Sequence, residues 1–263
     1  MSAKQFIRLE RSGAVATLIL QNPEDLNRLA APVQFLELAA AISEANLDPS
    51  VRALVLTGEG KAFCAGGDLN KMARREGFSE GTPLEIWDRY LATVQKVAAT
   101  LELSDVPTIA AVNGAAYGAG CDFASFCDMR IAASCATFCV SFAQLGIVSG
   151  DGGSWMLPRI VGRSKAMELT FTAEPIDAAE ALGIGLVSKV VAPEDLRGAA
   201  DELAQKIARH PRQAVRMGKK LLRASDSMSL ERHFDLAAAF QGMLHVSSEH
   251  LAAVQARLNA LKK

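Results

Sequence analysis

Thr108-Ile109-Ala110-Ala111-Val112-Asn113-Gly114-Ala115-Ala116-Tyr117-Gly118-Ala119-Gly120-Cys121-Asp122 opens as an apolar run, continues as glycines and small residues, and closes on the start of a helix. The short apolar run Thr108–Val112, bounded by turn residues, reads as a buried strand. Asn113–Gly120 is the connecting turn, and a helix follows from about Cys121. Small residues at a helix N-terminus leave main-chain N–H groups unpaired, and the helix dipole there favours negative charge. A second stretch of this kind lies upstream, Ala62-Phe63-Cys64-Ala65-Gly66-Gly67-Asp68-Leu69. It follows the buried run Val51–Thr57 and its stop, Gly58-Glu59-Gly60. Adjacent glycines let a ligand approach the main chain and let successive N–H groups point at one spot.

Working outward, Phe6–Leu9, Ala14–Leu20 and Arg130–Ala133 also read as strands, the second ending at the turn signal Asn22-Pro23. Helical spacing covers Pro32–Asn46, and one helix is expected over Pro83–Leu103 with Pro in its first turn. Gly146–Gly153 is a further glycine-rich loop, leading to a helix near Trp155. From Ala178 the chain is mostly helical, in the pieces Leu196–Arg209, Pro211–Arg223 and Leu230–Leu261. Alternating strands and helices followed by helices alone predict an α/β core over residues 1–195. Residues 196–263 form a helical region, expected to cover neighbouring copies in an oligomer. The sequence shows no internal repeat.

The chain has 263 residues, 50% hydrophobic and 22% charged, with a formal net charge of −1. That is the composition of a globular protein with a real core, and it supplies no overall field to recruit nucleic acid or an acidic membrane. No apolar stretch suits a bilayer span. Met1–Arg11 lacks the pattern of a signal or transit peptide, and Leu261-Lys262-Lys263 is no peroxisomal address, so a cytoplasmic location is expected. The cysteines Cys64, Cys121, Cys127, Cys135 and Cys139 form no Cys-x-x-Cys pair, which argues against a zinc site or a disulfide framework. The histidines, His210, His233, His245 and His250, lie late among polar neighbours and read as surface residues. A dinucleotide fingerprint at Gly118-x-Gly120 is disfavoured by Phe123 in the place of the third glycine.

Taken together, Phe63–Leu69 and Gly114–Asp122 resemble the two oxyanion-hole segments of the enoyl-CoA hydratase/isomerase (crotonase) family. Asn22-Pro23-Glu24-Asp25-Leu26-Asn27, Cys127-Asp128-Met129-Arg130-Ile131-Ala132, Gly150-Asp151-Gly152-Gly153 and Leu182-Gly183-Ile184-Gly185-Leu186-Val187 fit further family blocks in order. The likeness covers almost the whole chain and weakens after about Pro193. It implies a crotonase-like spiral of strand–strand–helix turns with a C-terminal all-helical region, assembled as a homotrimer or a hexamer. It implies an acyl-CoA substrate, with no cofactor beyond the coenzyme A of that substrate and no metal. It assigns the carbonyl-binding amides to Gly67 and Ala119. Such donors stabilise the enolate more than the neutral thioester, and one is typically worth roughly 3–4 kcal/mol.

By the same resemblance, Leu26 belongs to the early CoA-contacting turn, and Ala65, Asp68 and Leu69 form an adenine pocket. For Asp68 a helix-capping role is preferred over ligand contact, and Arg28 either meets a CoA phosphate or is simply solvated. Met72, Trp87, Tyr90 and Trp155 are candidates for the acyl pocket or for the core. The hydratases of the family hold water between two glutamates. Here the first position is Asp122 and the second falls at Phe142. Shortening Glu to Asp withdraws the carboxylate by about 1.5 Å, one C–C bond, and a misplacement of about 1 Å can cost on the order of a hundredfold in rate. Asp151 is the compensating candidate, with a helix cap as its alternative role. The expectation is that Asp122 and Asp151 both face the substrate's α and β carbons, one as acid and one as base. Enoyl-CoA hydration is the leading reading. The alternatives are enoyl-CoA isomerisation or acyl-CoA hydrolysis on the same scaffold, or a CoA-thioester binding protein with little catalysis.

Overall fold

The computed structural model describes residues 5–262. The buried apolar runs become strands of a six-stranded sheet: β1 (Ile7–Ser12), β2 (Val15–Leu20), β3 (Ala53–Gly58), β5 (Thr108–Val112), β7 (Met129–Ala133) and β10 (Lys189–Val191), in that spatial order. β1 and β2 are an antiparallel pair, and the remaining pairings are parallel. A second sheet holds β4 (Ala62–Cys64), β6 (Ala115–Tyr117), β8 (Thr137–Cys139) and β9 (Ile176–Asp177). The chain therefore lays one strand in the large sheet, one in the small sheet, and then a helix: β3–β4, β5–β6 and β7–β8 are successive turns of a spiral. The repeat is one of burial and geometry, so residue identities do not reveal it.

The helices are α1 (Pro32–Leu47), α2 (Leu69–Ala73), α3 (Pro83–Arg89), α4 (Gln95–Leu103), α5 (Ala119–Phe126), α6 (Gly153–Val161), α7 (Arg163–Thr172), α8 (Ala178–Gly183), α9 (Leu196–Ala208), α10 (Arg212–Ala224), α11 (Leu230–His245) and α12 (Ser248–Leu261). Every residue of α5 is buried, as a helix apolar on all sides should be. α1 and α4 pack beside one another through Phe35, Leu38 and Ile42, and through Val97 and Leu101. The single helix expected over Pro83–Leu103 is broken by a π-helical turn, Tyr90–Val94, a form often found at functional sites.

The opposite face of the large sheet is covered by α9. Leu196, Ala200, Ala204 and Ala208 repeat every four residues and meet Val15, Val55, Ile109 and Ile131. α9, the first helix of the helical region expected from residue 196, thus packs on the core sheet. α10 is basic and caps the ends of other elements: Arg216 donates to the Asn46 carbonyl at 2.6 Å, Arg223 to that of Glu102, and Lys219 to that of Val106 at 3.1 Å. Cations at helix C-termini are stabilising. The helix expected over Leu230–Leu261 is two, because Ser247 accepts from the His250 amide and starts α12. No residue of α11 or α12 is buried, and Leu230, Phe234, Met243 and Leu251 lie open. Among the described residues no helix is long and apolar enough to cross a membrane.

Candidate active site

Three loops are pressed together by main-chain bonds. The turn after β2 binds the stretch after β4: Ala65 N donates to the Leu26 carbonyl at 3.0 Å and Leu29 N to that of Gly66 at 2.9 Å. Asn27, wholly buried in the left-handed region at φ 56°, fixes that turn. Its amide donates to the carbonyls of Glu59 and Ala62, and its Oδ1 accepts from Asn22 N. Gly66 has φ 81°, and a Cβ there would lie 2.7 Å from the Tyr117 carbonyl and 3.8 Å from Ala119 N. A Cβ on Gly120 would overlap the Cys64 carbonyl. The two glycine-rich segments therefore touch because they lack side chains. Gly120→Ala is expected to cost about 1–3 kcal/mol, read as a lower urea midpoint with an unchanged slope.

Gly67 and Ala119 line one cavity of about 400 Å³. Ala119 is the first residue of α5, so its N–H has no intrahelical acceptor. The cavity also takes in Leu26, Arg28, Ala65, Asp68, Leu69, Met72, Tyr90 and Asp151 from the residues expected at a site. Phe35, Phe78, Val94, Phe142, Leu145 and Ile147 give it an apolar wall. Arg28 is paired with Asp25 at 2.7 Å. Asp68 caps α2, accepting from Asn70 N at 2.9 Å and Lys71 N at 3.1 Å, while still lining the cavity mouth. Lys71 lies at the same mouth and donates to the Ala30 carbonyl. Its signal in the sequence is a cation three residues after Asp68, in the helix that follows the glycine-rich loop.

Two of the aromatic candidates lie elsewhere. Trp87, on α3, is 58% exposed and does not line this cavity. Trp155 stacks on Phe126 with Arg159 over its ring, and lines a separate groove between α6 and α10. Aromatic spacing identifies an apolar helix face but not the cavity that face borders.

The two aspartates separate as well. Asp151 lines the cavity, is 3% exposed, and its Oδ2 has no hydrogen-bond partner among the described residues. It does not cap α6: the capping position is Gly152, with no side-chain cap. Asp122 does not line the cavity. It was expected to face the substrate carbons, but its carboxylate is taken up behind the loop, accepting from Ser149 Oγ at 2.6 Å and Gly153 N at 3.2 Å. Gly153 is required there, since a Cβ would overlap the Asp122 carboxylate. The loop is held from its other side by the π turn, where the Tyr90 ring fills the space a Gly150 side chain would take. Ser149 and the π turn had no recognisable signal in the sequence.

The model of the family described as enoyl-CoA hydratase/isomerase matches residues 10–258. The short-chain-enoyl-CoA hydratase of Clostridium acetobutylicum is 40% identical over 234 residues, 89% of this chain and 85% of that protein. The chain belongs to the enoyl-CoA hydratase/isomerase family. The 1,2-epoxyphenylacetyl-CoA isomerase of Escherichia coli is 32% identical over 255 residues, covering 97% of this chain and 95% of its own. The solved structure of an enoyl-CoA hydratase from Bacillus anthracis superposes with a TM-score of 0.90 at 30% identity, covering 97% of each chain.

As an enoyl-CoA hydratase/isomerase, this member carries apolar Phe142 in the cavity wall where the resemblance implied a second acid. Its two buried aspartates, Asp122 and Asp151, are an interacting pair. Burial pushes Asp122 up to about 7, against the pull of the Ser149 and Gly153 donors. Asp151, with no donor to offset burial and with the Asp122 charge nearby, is raised well above the usual carboxylate range. Asp122 therefore ionises first and Asp151 keeps its proton longer. A carboxyl whose folded value is raised favours the folded state at low pH and withdraws that stability as pH rises from its unfolded value, 3.8, through about 7. Urea denaturation of Asp122→Asn and the parent is expected to show their difference moving in the variant's favour between pH 4 and pH 8. A constant difference would contradict the buried charge.

Proposed function

We propose that the protein hydrates a 2-enoyl-CoA thioester, with the amides of Gly67 and Ala119 polarising the thioester carbonyl and Asp151 moving the protons. The observation that carries this is the shared cavity: one unpartnered carboxyl and the two amide-bearing residues border the same apolar space. Family membership supports the substrate class. Charge that develops on the thioester oxygen is met by donors already in place, which stabilise it without reorganisation. The CoA portion lies along Leu26, Ala65, Asp68 and Leu69, with Arg28 and Lys71 at the mouth for its phosphates. No cofactor beyond that coenzyme A takes part.

A single carboxyl balances the reaction. Water adds to Cβ and passes a proton to one oxygen of Asp151, while the other oxygen gives its proton to Cα. Asp151 begins and ends protonated. Isomerisation of a 3-enoyl thioester is the second reading, favoured by Asp151 being the one buried carboxyl among the residues bordering the cavity. There the ionised carboxylate takes a proton from Cα and returns it to the γ carbon. The two differ in sign: hydration declines as Asp151 ionises with rising pH, and isomerisation increases.

The test is steady-state turnover of short 2-enoyl-, 3-enoyl- and saturated acyl-CoA across pH. The expected result is fastest consumption of the 2-enoyl thioester with a basic-side decline. Tight binding without turnover of any would select a binding protein and overturn the proposal, as would hydrolysis alone. We further infer that copies of the chain assemble as a homotrimer or hexamer through α11 and α12, whose open apolar side chains support it. The free cysteines, four of them buried, fit a cytoplasmic setting.

A further inference from the structure

We infer that Asp122 serves the reaction without touching substrate, as a positioning residue whose buried charge braces the Ser149–Gly153 loop and keeps Asp151 the proton donor of the site. This rests on the reading of Asp151 above. Three observations carry it. Asp122 is buried and does not border the cavity, whereas Asp151 does. Its carboxylate accepts from Ser149 and from Gly153, the residues two before and two after Asp151, and so clasps the segment that aims Asp151. The absence of a side chain at Gly153 makes this close approach possible.

The surroundings make the charge effective. The titratable groups that face Asp151 are Cys64 from β4, Tyr90 from the π turn and Asp122 from α5. Burial pushes the Cys64 thiol up to about 12 and raises the Tyr90 phenol, so both are neutral near pH 7. Asp122 is then the charge that Asp151 senses, in a low-dielectric setting where such a charge acts strongly. A second carboxylate placed behind the first, rather than beside the substrate, raises the first one's hold on its proton.

The experiment separates this role from two others. Asp122→Asn keeps the shape and removes the charge. Ser149→Ala keeps the charge and removes one donor. The protonation of Asp151 is read directly, as the infrared band of a protonated carboxyl that disappears in Asp151→Asn, alongside kcat against pH with a short 2-enoyl-CoA. In Asp122→Asn the Asp151 proton is expected to dissociate at least about tenfold more readily, and the basic limb of the kcat profile moves down in pH with it. In Ser149→Ala the pair is expected to lose its first proton at higher pH, because Asp122 has lost a stabilising donor. An Asp151 midpoint unmoved by Asp122→Asn overturns the inference and leaves Asp122 a structural group. Loss of kcat by more than about a hundredfold at every pH, with the midpoint unmoved, overturns it too and makes Asp122 a direct acid. Should Asp122→Asn fail to fold, an unmoved first ionisation in Ser149→Ala overturns it. The infrared titration needs no substrate, so an enzyme inactive on enoyl-CoA would refute the proposed function and still test the brace.

Discussion

Asp151→Asn is expected to lower kcat on a 2-enoyl-CoA thioester by about 10²–10⁴-fold and to leave KM near its original value. Asparagine has the same shape and fits the same space, so thioester binding along the apolar wall is retained. It cannot carry a proton between water and Cα, and no other carboxyl borders the cavity beside it except Asp68 and Glu76 toward the mouth. Asp68 is engaged in capping α2. Phe142, where the resemblance places an acid, offers nothing to substitute. Stopped turnover with unchanged acyl-CoA affinity by calorimetry is the expected pair of results. A variant that keeps more than a tenth of the activity would remove Asp151 from the mechanism.

Ala119→Pro is expected to cost about 10²–10³-fold in kcat. The substitution is unusually clean. Ala119 is the first residue of α5, a position where proline suits the helix and where no helical hydrogen bond is lost. What disappears is the N–H proposed to meet the thioester oxygen. Ala119→Ser, which changes the side chain and keeps the N–H, serves as the control and is expected to retain most of the turnover. Gly67→Pro should abolish turnover by the same logic on the opposite loop. Full activity in either proline variant would contradict the assigned roles, and circular dichroism distinguishes a lost donor from a lost fold.

What could be read from the sequence divides along a physical line. β2, β3 and β5 are buried on both faces, so each appears as a continuous apolar run, and their limits come out within two residues. β4, β6, β8 and β9 are two or three residues long and owe their form to neighbours in the small sheet. Nothing local marks them, and β6 lies within Asn113–Gly120, which has the composition of a connecting turn. The capping roles are half legible: Asp68 and Ser247 are ordinary start signals, but Ser247 stands inside a stretch whose helical spacing runs on from Leu230 to Leu261. For the site, the two glycine-rich segments predicted a close main-chain approach, and the fold provides it. Asp151 borders the cavity as expected and Asp122 does not, because the direction of each side chain is set by its distant contacts. Gly150 and Gly152 permit many directions for Asp151, and the packing of Tyr90 and Phe126 against them selects one. Asp122 was pulled from the cavity by Ser149, a partner twenty-seven residues away.

The contact between the Gly66 and Gly120 segments has an evolutionary corollary. A peptide N–H belongs to the chain rather than to any side chain, and only proline deletes it. Random substitution at position 119 therefore spares the polarising hardware, while substitution at 122, 142 or 151 alters which proton moves and where. A scaffold wired in this manner tolerates drift in its chemistry without surrendering its grip on an activated ester. Folded variants at those three side-chain positions should lose or redirect proton transfer while keeping acyl-CoA affinity, read by calorimetry beside turnover.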